Sequence, residues 1–164
     1  MRITVAAVGQ SRQAAPEQAL AEDYRKRAAA LGGKLGFSKL EFTAVGTSRA
    51  SNVSARMDEE AKKLTARIPD GAHCIVLDER GRSLSSEAFA KHLSALRDRG
   101  LRDVAFLIGG PDGLSPSLRE GAKDLLALGP QTWPHQLVHA MLAEQIYRAF
   151  TILSGHPYHR GSAP

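Results

Sequence analysis

Val104-Ala105-Phe106-Leu107-Ile108-Gly109-Gly110-Pro111-Asp112-Gly113 reads as a buried apolar strand running straight into a glycine-rich turn. Further on, an apolar run from Leu125 ends in a second stiff turn, Leu128-Gly129-Pro130-Gln131-Thr132-Trp133-Pro134. Open α/β sheets bind ligands where strand ends meet such loops, because backbone there can approach a ligand closely. Two such loops in succession make the stretch from Val104 to Trp133 the centre of the chain. A long apolar helix follows, Leu137 to Leu153, and then the tail His156-Pro157-Tyr158-His159-Arg160. That tail is the other place where reactive side chains gather.

The residues before this stretch repeat one alternation. Arg2 to Val8 is a β-branched-rich strand closed by Gly9, and Pro16 opens a helix that reaches Leu31 and stops at Gly32-Gly33. Leu20, Tyr24 and Leu31 are expected to form its apolar face. Leu40 to Val45 is a second strand, and Gly46 to Ser54 a small, polar loop carrying Arg49. A helix from Ser54 to Ile68 ends at Pro69-Asp70-Gly71, and a third strand covers Ala72 to Leu77. Ser85 can cap the next helix, whose stripe is Phe89, Leu93 and Leu96, with Glu87 favouring its dipole. Crossover-length connections in a β-α-β-α-β-α-β order predict an α/β fold: a largely parallel sheet with helices on both faces.

A chain of 164 residues, 43% hydrophobic and 24% charged, fits one soluble domain, expected over residues 1–160 with 161–164 as a loose tail. No apolar run approaches a membrane span and no signal peptide opens the chain, so a cytoplasmic protein with no membrane partner is expected. Cys74 is the single cysteine, which excludes an internal disulfide and a cysteine-based zinc site, and it reads as a buried structural thiol. The net charge of +5 is weak support for a polyanionic partner. Its excess lies in residues 1–70, with 12 Lys/Arg against 8 Asp/Glu, away from the glycine loops. The helix from Leu137 to Leu153 is apolar nearly all round, which implies burial on two sides and points to a homodimer.

Absent motifs narrow the chemistry. The Gly109–Gly113 turn lacks the Lys-Ser/Thr of a phosphate loop, and there is no G-x-G-x-x-G fingerprint, which disfavours a kinase or nicotinamide enzyme. No G-x-S-x-G elbow is present. His135 and His139 are four apart, but no Glu follows His135 and no carboxylate cluster is near, so no metal is expected. Asp112 is expected to accept hydrogen bonds from its own loop, and Trp133 to be a core residue. Glu144 and Arg148, four apart on an apolar helix, form an ion pair whose polar ends face something specific. A His, a Tyr and an Arg in one tail suit RNA phosphate or base.

Four segments together resemble a known family. They are Leu107-Ile-Gly-Gly-Pro-Asp-Gly-Leu-Ser115, Thr132-Trp-Pro-His-Gln-Leu-Val138, Ala143-Glu-Gln-Ile-Tyr-Arg-Ala149 and His156-Pro-Tyr-His-Arg160. With Ile3 to Gly9 and Leu77-Asp78 they resemble, over essentially the whole chain, the RlmH ribosomal RNA large-subunit methyltransferases of the SPOUT class. The resemblance implies a C-terminal trefoil knot and a homodimer. It implies transfer of the methyl of S-adenosylmethionine to N3 of a pseudouridine in helix 69 of 23S rRNA on the assembled 70S ribosome. No metal and no DNA are implied. The donor would meet Leu77, Gly109, Gly110 and the loop Leu128, Gly129, Pro130, Gln131, Thr132, Trp133.

In the tail, His159 is the candidate proton acceptor, Arg160 a group to steady negative charge, and Tyr158 a stacking platform, with Glu144 and Arg148 orienting them. The Gly46–Ser54 loop carries only Arg49, fewer cations than the resemblance leads one to expect. Two other readings share these residues: a dimeric ribosome-associated nucleotide-binding module without catalysis, and a SPOUT methyltransferase acting on tRNA.

Overall fold

Arg2–Val8 (β1) is buried at every position after Arg2, as expected of a strand covered on both faces. In the computed structural model, which describes residues 1–9 and 15–159, this strand lies inside a five-stranded, wholly parallel sheet. After β1 come α1 (Pro16–Gly32, continued by a 3-10 turn Gly33–Leu35), β2 (Lys39–Val45), α2 (Val53–Thr65) and β3 (His73–Ser83). Then follow α3 (Ser86–Asp98), β4 (Asp103–Ile108), α4 (Pro116–Gly121), β5 (Asp124–Ala127) and α5 (His135–Ser154). The strand order is β2-β1-β4-β3-β5. Strand alternation sends Ile3, Val5, Val104, Phe106 and Ile108 to one core with α1, α3 and α5. Ala6, Val8, Val76 and Leu107 go to the other core, with Leu64 of α2 and Leu114 before α4. The expected α/β architecture with helices on both faces is what the chain adopts.

Local chemistry sets the helix ends. Asn52 accepts from the Ala55 N–H (2.7 Å) and Ser85 from the Ala88 N–H (3.2 Å), caps typically worth about 1 kcal/mol each. Phe89, Leu93 and Leu96 are buried as the stripe of α3 required.

Two helix faces differ from expectation. On α1 the buried residues are Ala21, Ala28 and Gly32, whereas Leu20 is 47% exposed. The reason is close approach: a Cβ on Gly32 would sit 3.0 Å from the Phe150 ring of α5, so small residues make that contact. On α5, two-sided burial is supplied by the chain itself. Ala140 and Ala143 pack against Ala21 of α1, while Leu142, Ile146 and Phe150 join the core shared with α3 and the sheet. What stays open is its first turn, where Leu137 is 37% exposed.

β3 also runs further than its apolar residues suggest. Ile75–Leu77 pair with Asp124–Leu126, the register then slips, and Arg82 and Ser83 pair with Leu126 and Ala127. The polar segment between, Asp78 to Gly81, is bulged out of the ladder. Gly81 sits against β5, where an added Cβ would lie 2.6 Å from backbone atoms of Leu125 and Leu126. Gly81→Ala is therefore expected to cost about 2 kcal/mol, within the range for overpacking. It should lower the urea midpoint without changing the slope.

Candidate functional site

The middle of β3 from Leu77 to Arg80 and the carboxyl ends of β4 and β5 open into one cavity of about 330 Å³. Leu77 closes it from β3, Gly109 and Gly110 from the turn after β4, and Leu128, Gly129, Gln131, Thr132 and Trp133 from the loop after β5. Pro130 alone, among the residues assigned to this site from sequence, does not line it. Ile108, Leu126 and Val138 add apolar wall, and Glu79 and Arg119 add charge that sequence reasoning had not placed here. The size and mixed lining are those of a small-molecule site.

Each loop is held by its own contacts. The Gly113 N–H donates to the Gly110 carbonyl (2.9 Å), so the glycine turn is closed on itself. Trp133 Nε1 donates to the Leu128 carbonyl (3.1 Å), and Thr132 Oγ1 donates to Glu79 Oε2 (3.2 Å). Trp133 is thus a loop brace, 37% exposed at the cavity, and not the core residue expected. Its indole needs an acceptor, and the loop carbonyl supplies one. Asp78 accepts from the Arg80 N–H (3.0 Å) and faces Arg119 at 3.5 Å.

Asp112 departs from expectation as well. Its carboxylate takes Arg56 Nε at 2.7 Å, and that ion pair holds its pKa below the usual carboxylate range. The same guanidinium donates to the Ala50 and Ser51 carbonyls (3.1 and 3.4 Å). Arg56 therefore straps the loop before α2 to the glycine turn. The link spans residues too far apart in sequence for any local pattern to reveal it.

The tail residues form a separate group, and the structure does not bring them into the cavity of the same chain. Glu144 accepts from Arg148 Nε (2.8 Å) and Gln145 Nε2 (2.7 Å), and Tyr158 donates its hydroxyl to Glu144 Oε1 (3.2 Å). Arg148 lies over the Tyr158 ring at 4.9 Å, and Tyr147 meets that ring with centroids 4.7 Å apart. Burial first, then the Tyr24 hydroxyl and the Glu144 carboxylate, push the Tyr158 pKa up, so the phenol stays a donor. His159 Nε2 stands 2.9 Å from Glu87 Oε1, while its Nδ1 is covered and without a partner among the described residues. Glu87 had been read only as a dipole-favouring residue. Its carboxyl lies below the ordinary range because of its own backbone N–H, the Ser85 hydroxyl and His159. Arg160 and residues 161–164 lie outside the described residues.

Two remaining groups play no part in either cluster. The Cys74 thiol is half-buried and pushed up by that burial, as a structural cysteine should be. His139 on α5 is half-buried, with Nε2 covered and unpartnered among the described residues, and burial, helped by His135, lowers its pKa from 6.5 to about 4. The unfolded chain thus binds a proton near pH 6.5 that the fold refuses until about pH 4. Stability is unaffected above that window and falls as pH drops through it, by up to about 3 kcal/mol. Urea unfolding at several pH values should show this slope, and His139→Gln should flatten it.

Among the described residues no helix is long and apolar enough to cross a membrane. A family model described as "Predicted SPOUT methyltransferase" matches residues 1–159. The chain is 52% identical over 160 residues to the ribosomal RNA large subunit methyltransferase H of Rhodopseudomonas palustris strain HaA2, covering 98% of this chain and 99% of that protein. It is 53% identical over 160 residues to the protein of the same name from strain ATCC BAA-98 / CGA009, with the same coverage. Among solved structures, a probable methylase family protein from Haemophilus influenzae Rd KW20 aligns with a TM-score of 0.48 and 12% identity, covering 99% of this chain and 71% of that one. With a full-length family match and half of all residues shared with such relatives, the chain belongs to the SPOUT methyltransferases and, within them, to the family of ribosomal RNA large subunit methyltransferase H.

Proposed function

We propose that this protein is an S-adenosylmethionine-dependent methyltransferase of 23S rRNA, acting in the cytoplasm as a homodimer on N3 of a pseudouridine in helix 69 of the assembled ribosome. The observation that carries the reading is the cavity at the carboxyl edge, walled by the middle of β3 and the ends of β4 and β5 in a chain whose relatives are named for rRNA methylation.

The cavity's lining fits the donor. Leu77, Ile108, Leu126 and Val138 offer apolar surface to a purine, and backbone of the two stiff turns lies close by for its polar edge. A Cβ on Gly109 or Gly129 would fall within 3 Å of neighbouring loop atoms, so both turns depend on side-chain-free positions. Glu79, Asp78 and Arg119 match the ammonium and carboxylate of an amino-acid end. When bound, the sulfonium supplies an electrophilic methyl group. The protein's share is positioning, exclusion of water and removal of the N3 proton.

For the proton we assign His159, held at Nε2 by Glu87 in the manner of an imidazole oriented by a carboxylate, so that Nδ1, covered within one chain, is the nitrogen that takes the proton once the tail docks on the partner's cavity. Glu144 and Arg148 anchor the tail through Tyr158, whose ring is taken up by Tyr147 and Arg148 and serves here as an anchor. Arg160 would steady the developing anion. One chain separates tail from cavity, so the reading requires the partner's tail to complete the site. The apolar groove that holds Leu20, Leu137 and Met141 beside the Leu126–Gly129 segment supports such a contact. The reading also includes a C-terminal trefoil knot. Residues 1–160 are taken as one domain, and the transfer calls on no metal.

Methylation assays with labelled S-adenosylmethionine on 70S particles, free 23S rRNA and tRNA test this directly. Incorporation into 70S particles alone is expected. Label in tRNA alone would move the activity to another substrate, and donor binding without any transfer would favour a non-catalytic ribosome-associated module. Mass mapping of rRNA from cells lacking the protein should show one unmethylated pseudouridine.

A further inference from the structure

At the opposite edge of the sheet from the cavity, three side chains from three elements converge. His73 opens β3, His92 lies on α3 and Asp124 opens β5. His73 Nε2 is 2.7 Å from Asp124 Oδ2, and His92 Nε2 is 3.3 Å from the same oxygen. One ligand atom from each lies within 4.8 Å of the other two. We propose that these residues form a divalent-metal site of the zinc class, with both Nε2 atoms and the Asp124 carboxylate as ligands and a fourth position for water.

The chemistry and the scaffold both favour it. Two neutral imidazoles and a carboxylate are a recurrent three-ligand set for zinc, with water completing a tetrahedron. The side chains are only 14%, 23% and 21% exposed, so the site is partly screened from bulk water. Two ligands come from strand starts and one from mid-helix, positions that hold side chains more firmly than loops do. A void of about 10 Å³ touches His92, Asp124 and Arg82, with Ile75, Leu84 and Phe89 around it, roughly the room one water-sized particle needs.

The plain competitor is a pair of His–Asp hydrogen bonds without metal. The nearby Arg82 is the charge that opposes a cation, but it faces the other carboxylate oxygen, Oδ1, at 3.6 Å, and its side chain is 69% exposed and free to turn outward. Such a site would be structural. β5 has four residues and lies at the sheet edge, and the metal would clip its start to β3 and α3. The inference stands independently of the proposed reaction.

Metal-stripped full-length protein titrated with zinc chloride alone should bind one equivalent per chain, seen by calorimetry. Cobalt(II) should give the visible bands of a four-coordinate centre. Saturating zinc should raise the thermal midpoint by about 5 °C. His92→Gln and Asp124→Asn should each weaken binding by more than about a hundredfold and lose the cobalt bands. Arg82→Ala, which removes the opposing charge, should bind several-fold more tightly. That gain keeps the test informative even where a ligand variant is damaged in folding. No zinc uptake by the wild type, unchanged affinity in His92→Gln, or loss of binding in His156→Gln would each overturn the proposal.

Discussion

Gly109→Ala is expected to weaken S-adenosylmethionine binding about a hundredfold while leaving the sheet folded. An alanine Cβ there would stand 2.7 Å from the Gly113 carbonyl carbon, 2.8 Å from its oxygen and 2.9 Å from Leu114 Cγ. Two of those atoms are backbone and have no rotamer to escape into. The turn is also closed by the Gly113 N–H on the Gly110 carbonyl at 2.9 Å, so relief means opening the loop that walls the cavity. Overpacking of this kind costs 1–3 kcal/mol or more. Full expression in binding of about 3 kcal/mol corresponds to a loss on the order of a hundredfold. Calorimetry against the donor measures it, with Gly46→Ala as the control, because nothing lies within 4 Å of a Cβ at that position. Unchanged affinity in Gly109→Ala would remove the glycine turn from the donor site.

His159→Ala is expected to slow single-turnover methylation of 70S particles by about a thousandfold, the range for losing a general base. Donor affinity should not change, because His159 does not line the cavity. Glu87→Gln should produce a smaller loss of the same kind, since Glu87 acts only through the imidazole. Arg160→Ala completes the series. Normal rates in both His159→Ala and Arg160→Ala would show that the tail carries no chemistry and would move the proton acceptor elsewhere.

Much of this arrangement was legible in residue order, and what was not has identifiable causes. The strand end at Ile108, the two stiff turns and the Ser85 cap follow from local patterns, because strands and caps obey short-range sterics. On α1, Tyr24 and Leu31 pack against the core as read, but Leu20 does not, because helix contact at close range selects Ala21, Ala28 and Gly32 over a larger side chain. The return of β3 through Arg82 and Ser83 uses backbone pairing only, which side-chain periodicity cannot signal. Arg56 with Asp112, His159 with Glu87, and His73 with His92 and Asp124 are all long-range meetings. No local pattern joins the members of any of these meetings. α5 looked unsatisfied without a second subunit because α1 and α3 had not yet been placed beside it.

The pairing of β3 with β5 bears on how the protein is made. Until Asp124–Ala127 leave the ribosome, the outer edge of β3 has no strand beside it, and the core facing α1 and α3 still lacks α5. A nascent chain at that stage presents both open backbone groups and uncovered apolar surface, the combination that invites self-association. A nascent chain whose emerged part ends just before Asp124 should thus be the most chaperone-dependent intermediate, and emergence of the chain through Ser154 should relieve it.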